Sequence, residues 1–365
     1  RWIDGGAFAL QPGKAELRLR DRTGWWGRCD AIVLARGEFK PADTVAELAQ
    51  QRLRFTGVSP KIQDVGTFDV VVVGGGSAGL GAALAAARNG VHVAFIQDRP
   101  VLGGNGSSEI MVPPMGMIGK APDNVNVTGI AEEIFPPQAW TSFASSEYFA
   151  QLVRREPNIS LFLNTRATAV EMQDKETISA VIALDVRSGQ RLRFTAPLFV
   201  DTTGHGWIGF YAGAQWRMGT ESSSEFGESL APRQANPFTM GNSLYRADFR
   251  DMGEPDPFET PNWAYQWHSS DDFVQALPRT KEIVRPEEFD KATRGPGRPI
   301  STTGLKRGGA YTWFVELGGT SNTIQDAERI RDELFRIQIG LWGYAKNVDP
   351  KGIQANRNLR LAWLN

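Results

Sequence analysis

The chain has 365 residues, with 40 Lys and Arg against 41 Asp and Glu, so no global charge steers it to nucleic acid or to an anionic membrane. One cysteine, Cys29, excludes an internal disulfide and a cysteine-based zinc site. The three histidines show no HxxH or HExxH spacing, so no metal is assigned. No run of eighteen apolar residues occurs, so no membrane-spanning helix is expected.

At this length two or three domains with ample core are expected. The 39 Gly and 21 Pro predict many turns and an irregular second half. Arg1 falls in mid-pattern, so the sequence is expected to be part of a longer protein. Its compartment, cytoplasmic or periplasmic, and its oligomeric state stay open.

Residues 1–38 read as the end of a β-domain. Ala7–Leu10 and Ala15–Leu19 alternate around Gln11-Pro12-Gly13-Lys14, which predicts a hairpin, and Ala31–Leu34 predicts a further strand. So short a piece cannot bury a core alone. Trp25 and Trp26 read first as core packing, with a sugar-facing surface as the competing reading. Residues 39–66 read as a helical linker, with a helix over Thr44–Leu53 capped by Asp43 or Thr44, then Ser59-Pro60.

The most informative stretch follows. Asp69-Val70-Val71-Val72-Val73 is a run apolar on both faces, as a buried parallel strand should be. Directly after it comes Gly74-x-Gly76-x-x-Gly79. Gly74 permits the tight turn, Gly76 lets backbone N–H groups approach a diphosphate, and Gly79 lets the next helix pack close to the strand. Ala78–Asn89 predicts a buried Ala/Leu helix stopped by Gly90, and Val91–Ile96 a second strand. Strand, turn, helix and strand in this order predict a dinucleotide site; a surface turn would not carry such apolar flanks. Where a ribose-binding Asp or Glu is usual, this chain has Gln97, whose amide can still bond hydroxyls. Asp98 would replace it if the strand end shifted by one.

Val101-Leu102-Gly103-Gly104-Asn105-Gly106-Ser107-Ser108-Glu109 is a second glycine-rich loop. So little side chain is costly in entropy unless close backbone approach is needed; a flexible surface loop is the competing reading. Short helices are expected at Gly129–Phe135 and Ser145–Arg155, the second capped by Ser145 or Ser146 with Tyr148, Phe149 and Leu152 inward. Ile159–Asn164, Ala167–Met172, Thr177–Asp185 and Arg191–Phe194 predict a meander. Leu198–Val200 is a last buried strand, carrying Asp201-Thr202-Thr203-Gly204-His205-Gly206 at the end where an open α/β sheet binds its ligand. Beyond it come a helix over Trp207–Ala214, a polar loop over Glu221–Ala231 and a return to the sheet near Asn236–Ser243. Residues 253–310 read as a segment capping a pocket, and Asp326–Tyr344 as the longest amphipathic helix, with Ile330, Leu334, Ile337, Ile339 and Leu341 inward. Residues 67–115 and 156–245 thus form a dinucleotide-binding domain, and 116–155 and 246–365 a cap or substrate domain.

VVVVGGGSAG…FIQDRPVLGGNGSSE, DTTGHGWIGFYAGAQWRMG and FVELGG…DAERIRDEL resemble the FAD dependent oxidoreductase family, a bacterial group often associated with glycan catabolism within the glutathione-reductase-like flavoprotein fold. The resemblance runs from about Phe68 to the C-terminus. It implies an α/β fold: a Rossmann-like FAD-binding domain with a β-meander insertion and an irregular α+β cap, preceded by the tail of a β-sandwich. It implies FAD as cofactor and hydride transfer on a small polar substrate such as a carbohydrate. Gly74, Gly76, Ser77, Ala78 and Gly79 would contact the FAD diphosphate, and Gln97, Asp98 and Arg99 the adenosine ribose region. Gly103, Gly104, Asn105, Ser107, Ser108 and Glu109 would line the path to the flavin. Ala167 would offer its backbone to the adenine edge, and Asp201, Thr203 and Gly204 belong to the second FAD motif. Two features depart from the family pattern. His205 stands where Asp is usual, and the family's last flavin-contacting segment is expected beyond Asn365.

Hydride chemistry on an alcohol or amine needs a general base. His205, beside the expected flavin, has a suitable ordinary pKa for a base, but its position reads first as a cofactor contact. His268, in Trp267-His268-Ser269 of the capping segment, is a second candidate beside a structural role. Glu109 reads as base or as loop anchor. Gln97 and His205 leave a competing reading, an NAD-binding or redox-silent carbohydrate-binding protein that keeps the fold.

Overall fold

The computed structural model describes residues 2, 4–18, 31–112, 129–135, 146–237, 241–244, 246–269, 309–310, 317–319 and 321–364. The expectations at Trp25 and Trp26 and over most of 270–310 lie outside them.

The chain enters through α1 (Val45–Thr56), whose N-cap Thr44 accepts a hydrogen bond from the Glu47 amide, and which ends at Gly57 with φ +68°. Next, β1 (Gln63–Thr67) pairs in parallel with β7 (Arg191–Thr195). The sequence offered only a linker there, because a polar, largely exposed strand has no apolar run to announce it. The expected hairpin before α1 is not formed: described residues 4–18 and 31–38 contain no strand. Phe8, Leu10, Leu17 and Leu34 stay exposed there. Alternation makes a strand only when another surface covers its apolar face.

The nucleotide unit is built on a parallel sheet ordered β4-β3-β2-β8, from β4 (Ile159–Phe162), β3 (Val93–Ile96), β2 (Val70–Val73) and β8 (Leu198–Asp201). All four residues of β2 and of β3 are buried. The reason is layering. Val70, Val72, Val93 and Phe95 pack toward α2 (Ser77–Arg88) and the short helices α3 (Ile130–Ile134) and α4 (Ser146–Arg154). Val71, Val73, Ala94 and Ile96 pack on the opposite side against β5 (Thr165–Met172), β6 (Ile178–Asp185) and β7. Side chains of a strand alternate between faces, so a sheet covered twice must be apolar throughout. Ile159–Phe162 joins this parallel sheet and leaves a three-strand meander, β5-β6-β7, with β1 on its outer edge.

Residues of α3 and α4, expected in the cap, pack on the nucleotide sheet: Ile134, Phe135, Phe149, Leu152 and Val153 share one core with β2 and β3. Arg88 at the end of α2 fastens this layer, bonding both Glu133 oxygens at 2.7–2.8 Å and Glu156 at 2.7 Å. The Arg88 bond holds the Glu133 carboxyl below its usual pKa. Its folded pKa being the lower one, the stabilisation is present above the unfolded value and is lost as pH falls below about 4.5 toward the folded pKa. Glu133→Gln is therefore expected to cost at most about 1 kcal/mol near neutral pH, since the pair is partly open to solvent. The melting-temperature gap to wild type should close as pH drops below about 4.5; a gap unchanged by acid would sink the assignment.

The C-terminal part forms a second core. After the short helices α5 (Trp207–Tyr211) and α6 (Ser223–Phe226), β9 (Arg246–Asp251) pairs antiparallel with β10 (Gly309–Ala310) and β11 (Leu359–Leu364). Across them lies α7 (Ala327–Asn347), followed by α8 (Pro350–Ala355). Ile330, Leu334, Ile337, Ile339 and Leu341 are all buried on α7, as its pattern predicts, with Trp342 the largest fully buried side chain. Lys346 is buried beside it, and its Nζ donates to the carbonyls of Asn356, Arg357 and Leu359. That cation ties the end of α7 to the turn before β11. No helix of the described residues is long and apolar enough to cross a membrane.

Candidate dinucleotide site

The first glycine loop leaves the sheet at the C-terminal end of β2, between β3 and β8. Gly74, at φ +108°, donates to the Ile96 carbonyl at 2.8 Å, and a side chain there would run into the Thr202 backbone. Gly79 faces the Gly74 carbonyl so closely that an added Cβ would collide with it. Thr202 locks this junction, since its hydroxyl lies 2.8 Å from both the Val73 and Gly74 carbonyls. The spacing of the glycines thus has the steric basis that the sequence predicts for Gly74 and Gly79.

Gly76 differs. It is the N-cap of α2, at φ −76°, with no side-chain cap. Among the described residues no acceptor meets the amides of Gly76, Ser77, Ala78 and Gly79. A helix start normally satisfies such donors with a cap, water or a ligand, and its dipole favours an anion. Opposite lies Gly104, at φ +55°, where an added Cβ would come within 3.0 Å of the Gly76 Cα. Two backbones bare of side chains therefore face each other over open donors. This cradle fits a dinucleotide diphosphate.

The second glycine loop is braced rather than loose. Gly103 N–H donates to the Gly75 carbonyl at 2.8 Å, and a Cβ on Gly103 would meet the Phe149 ring. A single 3₁₀ turn covers Gly104–Gly106. Ser107 is buried, with its hydroxyl accepting from the Glu109 and Ile110 amides. The Ser108 amide donates to the Ser146 hydroxyl at 2.9 Å. Asn105 is exposed on the loop. The serines expected to line the cofactor path thus spend their hydroxyls on the loop and on α4.

Gln97 is buried, with Oε1 accepting from Gly75 N–H at 2.8 Å and Nε2 donating to the Val101 carbonyl at 3.1 Å. Around it runs a charged rim. Arg99 pairs with Glu109 at 2.8 Å. Arg166 stacks its guanidinium over the Trp207 ring at 5.0 Å. Burial raises the Asp98 pKa above the usual carboxylate value, with Arg99 and Arg166 opposing. Enclosure by neighbouring groups lowers the His205 pKa, with Asp98 pulling the other way. The His205 shift places it within electrostatic reach of Asp98. Arg166 and Trp207 were missed by the sequence reading; they are neighbours only because β5 crosses beneath α5.

The second motif divides its labour. Asp201 accepts from the Thr203, Ile208 and Gly209 amides, and the Thr203 hydroxyl bonds Asp201 at 2.8 Å and the Trp207 amide at 3.0 Å. These side chains build the start of α5. Gly204 stands at φ +81° beside them. Ala167, buried in β5, abuts the point where the β5–β6 ladder shifts register. The three candidate bases have three settings. His205 is exposed, with Nδ1 3.0 Å from the Thr323 hydroxyl. Glu109 is held by Arg99. His268 lines a cavity of about 400 Å³, with Glu259, Thr260, Trp267, Tyr344 and Asn347, on the glycine face of α7. Among the described residues no cluster of His, Cys, Asp and Glu could hold a metal ion.

Among solved structures, similarity extends to L-proline dehydrogenase from P. horikoshii (25% identity, 40% of this chain and 24% of that one, TM-score 0.25). A geranylgeranyl bacteriochlorophyll reductase-like protein from Thermoplasma acidophilum matches at 16% identity, over 42% of this chain and 43% of that one, with TM-score 0.29. Thioredoxin reductase from Giardia duodenalis matches at 14%, over 38% and 31%, with TM-score 0.24. The chain spans less than half the length of each of these three. With TM-scores below 0.5, the assignment rests on the sequence profile described as FAD dependent oxidoreductase, which matches residues 69–362 and so takes in both glycine loops, the second motif and α7. By that match the chain belongs to the FAD dependent oxidoreductase family.

Proposed function

We propose that this chain binds FAD along the two abutting glycine loops, at the open amides that start α2, and works as an oxidoreductase on a small polar substrate. The observation that carries the reading is the start of α2, where four consecutive amides meet no acceptor among the described residues and Gly76 faces Gly104. FAD, when bound, supplies the acceptor or donor of a hydride. The chain supplies position and charge. Gly76, Ser77, Ala78 and Gly79 hold the diphosphate through main-chain N–H groups, the Gln97–Arg99 turn and Ala167 border the adenosine end, and Gly103, Gly104 and Asn105 border the path toward the flavin. Gly204 leaves the backbone of the second motif open to the cofactor. His205, whose pKa is lowered by enclosure among its neighbours, contacts the cofactor or accepts a proton. Glu109 anchors the loop through Arg99, and His268 is a base candidate in the cap. A carbohydrate substrate and a preceding β-sandwich rest on the family resemblance alone.

The test is reconstitution. Purified protein should carry visible flavin absorbance, released on denaturation, or gain it on incubation with FAD. A protein that stays colourless and is not stabilised by FAD would overturn the proposal. The engaged amide of Gln97 and the histidine at position 205 favour one rival reading, an NAD-binding or redox-silent carbohydrate-binding protein. Thermal titration separates the two, because stabilisation by NAD without stabilisation by FAD would support the rival.

A further inference from the structure

The cavity on the glycine face of α7 stands apart from the diphosphate cradle. Its volume is about 400 Å³, within the range of small-molecule pockets. The turn before α7 carries Thr323, which meets His205, whereas the cavity opens from Gly340 onward. Between Asp326 and Gly340 the helix rises about 21 Å.

Phe258, Trp267 and Tyr344 give the cavity aromatic walls. The walls are braced. Trp267 stacks on Tyr265 at 4.9 Å, and the bare backbones of Gly340 and Gly343 let Tyr265, Trp267 and Thr260 come directly against the helix. What the polar lining offers is mostly acceptors. Gln266 spends its amide nitrogen on the Pro261 and Ala264 carbonyls, and Asn347 spends its own on the Phe258 carbonyl. A carbonyl accepts and never donates, so these contacts fix each amide's orientation and leave its oxygen for a ligand. Glu259 adds an exposed carboxylate that no described residue bonds. Thr260 and His268 can take either role. The described lining residues include no Lys or Arg. Lys346, on the same helix, commits its Nζ to three backbone carbonyls. The last turn of α7, which carries Tyr344 and Asn347, adds the negative end of the helix dipole.

We propose that this cavity binds a small organic ammonium ion: a protonated primary amine whose N–H groups meet Glu259 and the two amide oxygens, and whose apolar body lies against the aromatic walls. An ammonium is attracted by an aromatic face as well as by a carboxylate. A neutral ligand of the same shape forgoes both gains and leaves acceptors without donors. The site stands independently of the FAD reading.

Benzylamine and benzyl alcohol, titrated calorimetrically against the full chain near neutral pH, present one ring with and without the charge. Wild-type protein is expected to bind the benzylammonium ion about tenfold more tightly than the alcohol. Glu259→Gln should bring the two within about twofold at an unchanged melting temperature, because the side chain is exposed. Glu254→Gln removes another exposed carboxylate of the same segment, one that does not line the cavity, and should leave the preference intact. Equal binding of the two probes by wild type, or binding of neither, would overturn the inference. So would a preference that survives Glu259→Gln, or one that Glu254→Gln abolishes as well.

Discussion

Gly79→Ala should destabilise the chain by about 3 kcal/mol, read as a lower denaturation midpoint at unchanged slope. Helix propensity alone predicts the opposite sign, since Ala in a helix is favoured over Gly by about 1 kcal/mol. Sterics decide. The new methyl would collide with the Gly74 carbonyl and lie 2.8 Å from the Thr202 hydroxyl. Neither can retreat cheaply, because Thr202 bonds the Gly74 carbonyl at 2.8 Å and the Gly74 amide bonds Ile96 at 2.8 Å. A loss below about 0.5 kcal/mol, the range of ordinary surface substitutions, would mean that α2 sits farther from β2 than described.

Gly76→Leu should give the contrasting result: a fold nearly intact and a cofactor site closed. The backbone of Gly76, at φ −76° and ψ −172°, suits any residue, and its Cβ would have only the Gly104 Cα within 4 Å, at 3.9 Å. Losing glycine at an uncapped N-cap costs well under about 1 kcal/mol. The leucine branch, however, would stand over the open amides of α2. FAD affinity should fall about a hundredfold, equal to about 2.7 kcal/mol, while melting without FAD moves little. Flavin fluorescence titration measures the first and calorimetry the second. Wild-type affinity in this variant would remove the diphosphate from the crevice.

The nucleotide core was legible because independent signals coincided there. The Val70–Val73 run, the glycine spacing and the Ala-rich helix each demand the same layering. The helix α7 was legible for its period, and its five expected inward residues are buried. Other elements were not. β1 and β9, with sequences QDVGT and RADFRD, are polar strands that exist because a neighbour supplies hydrogen-bond partners, a fact absent from local pattern. The stretch before α1 shows the reverse, alternation without a surface to bury it. At the site, side-chain identity was readable but commitment was not. Nothing local says that Gln97 turns inward to Gly75, or that His205 meets Thr323, a residue 118 positions on.

The position of β1 bears on how the protein can be cut. The family profile starts at residue 69, yet Gln63–Thr67 already forms the outer strand beside β7. A fragment trimmed to the profile would keep every glycine of the crevice and lose that border. The uncovered row of β7 amides and carbonyls would then invite the same row on another molecule. Working boundaries for expression therefore belong ahead of Gln63, in the turn that follows α1.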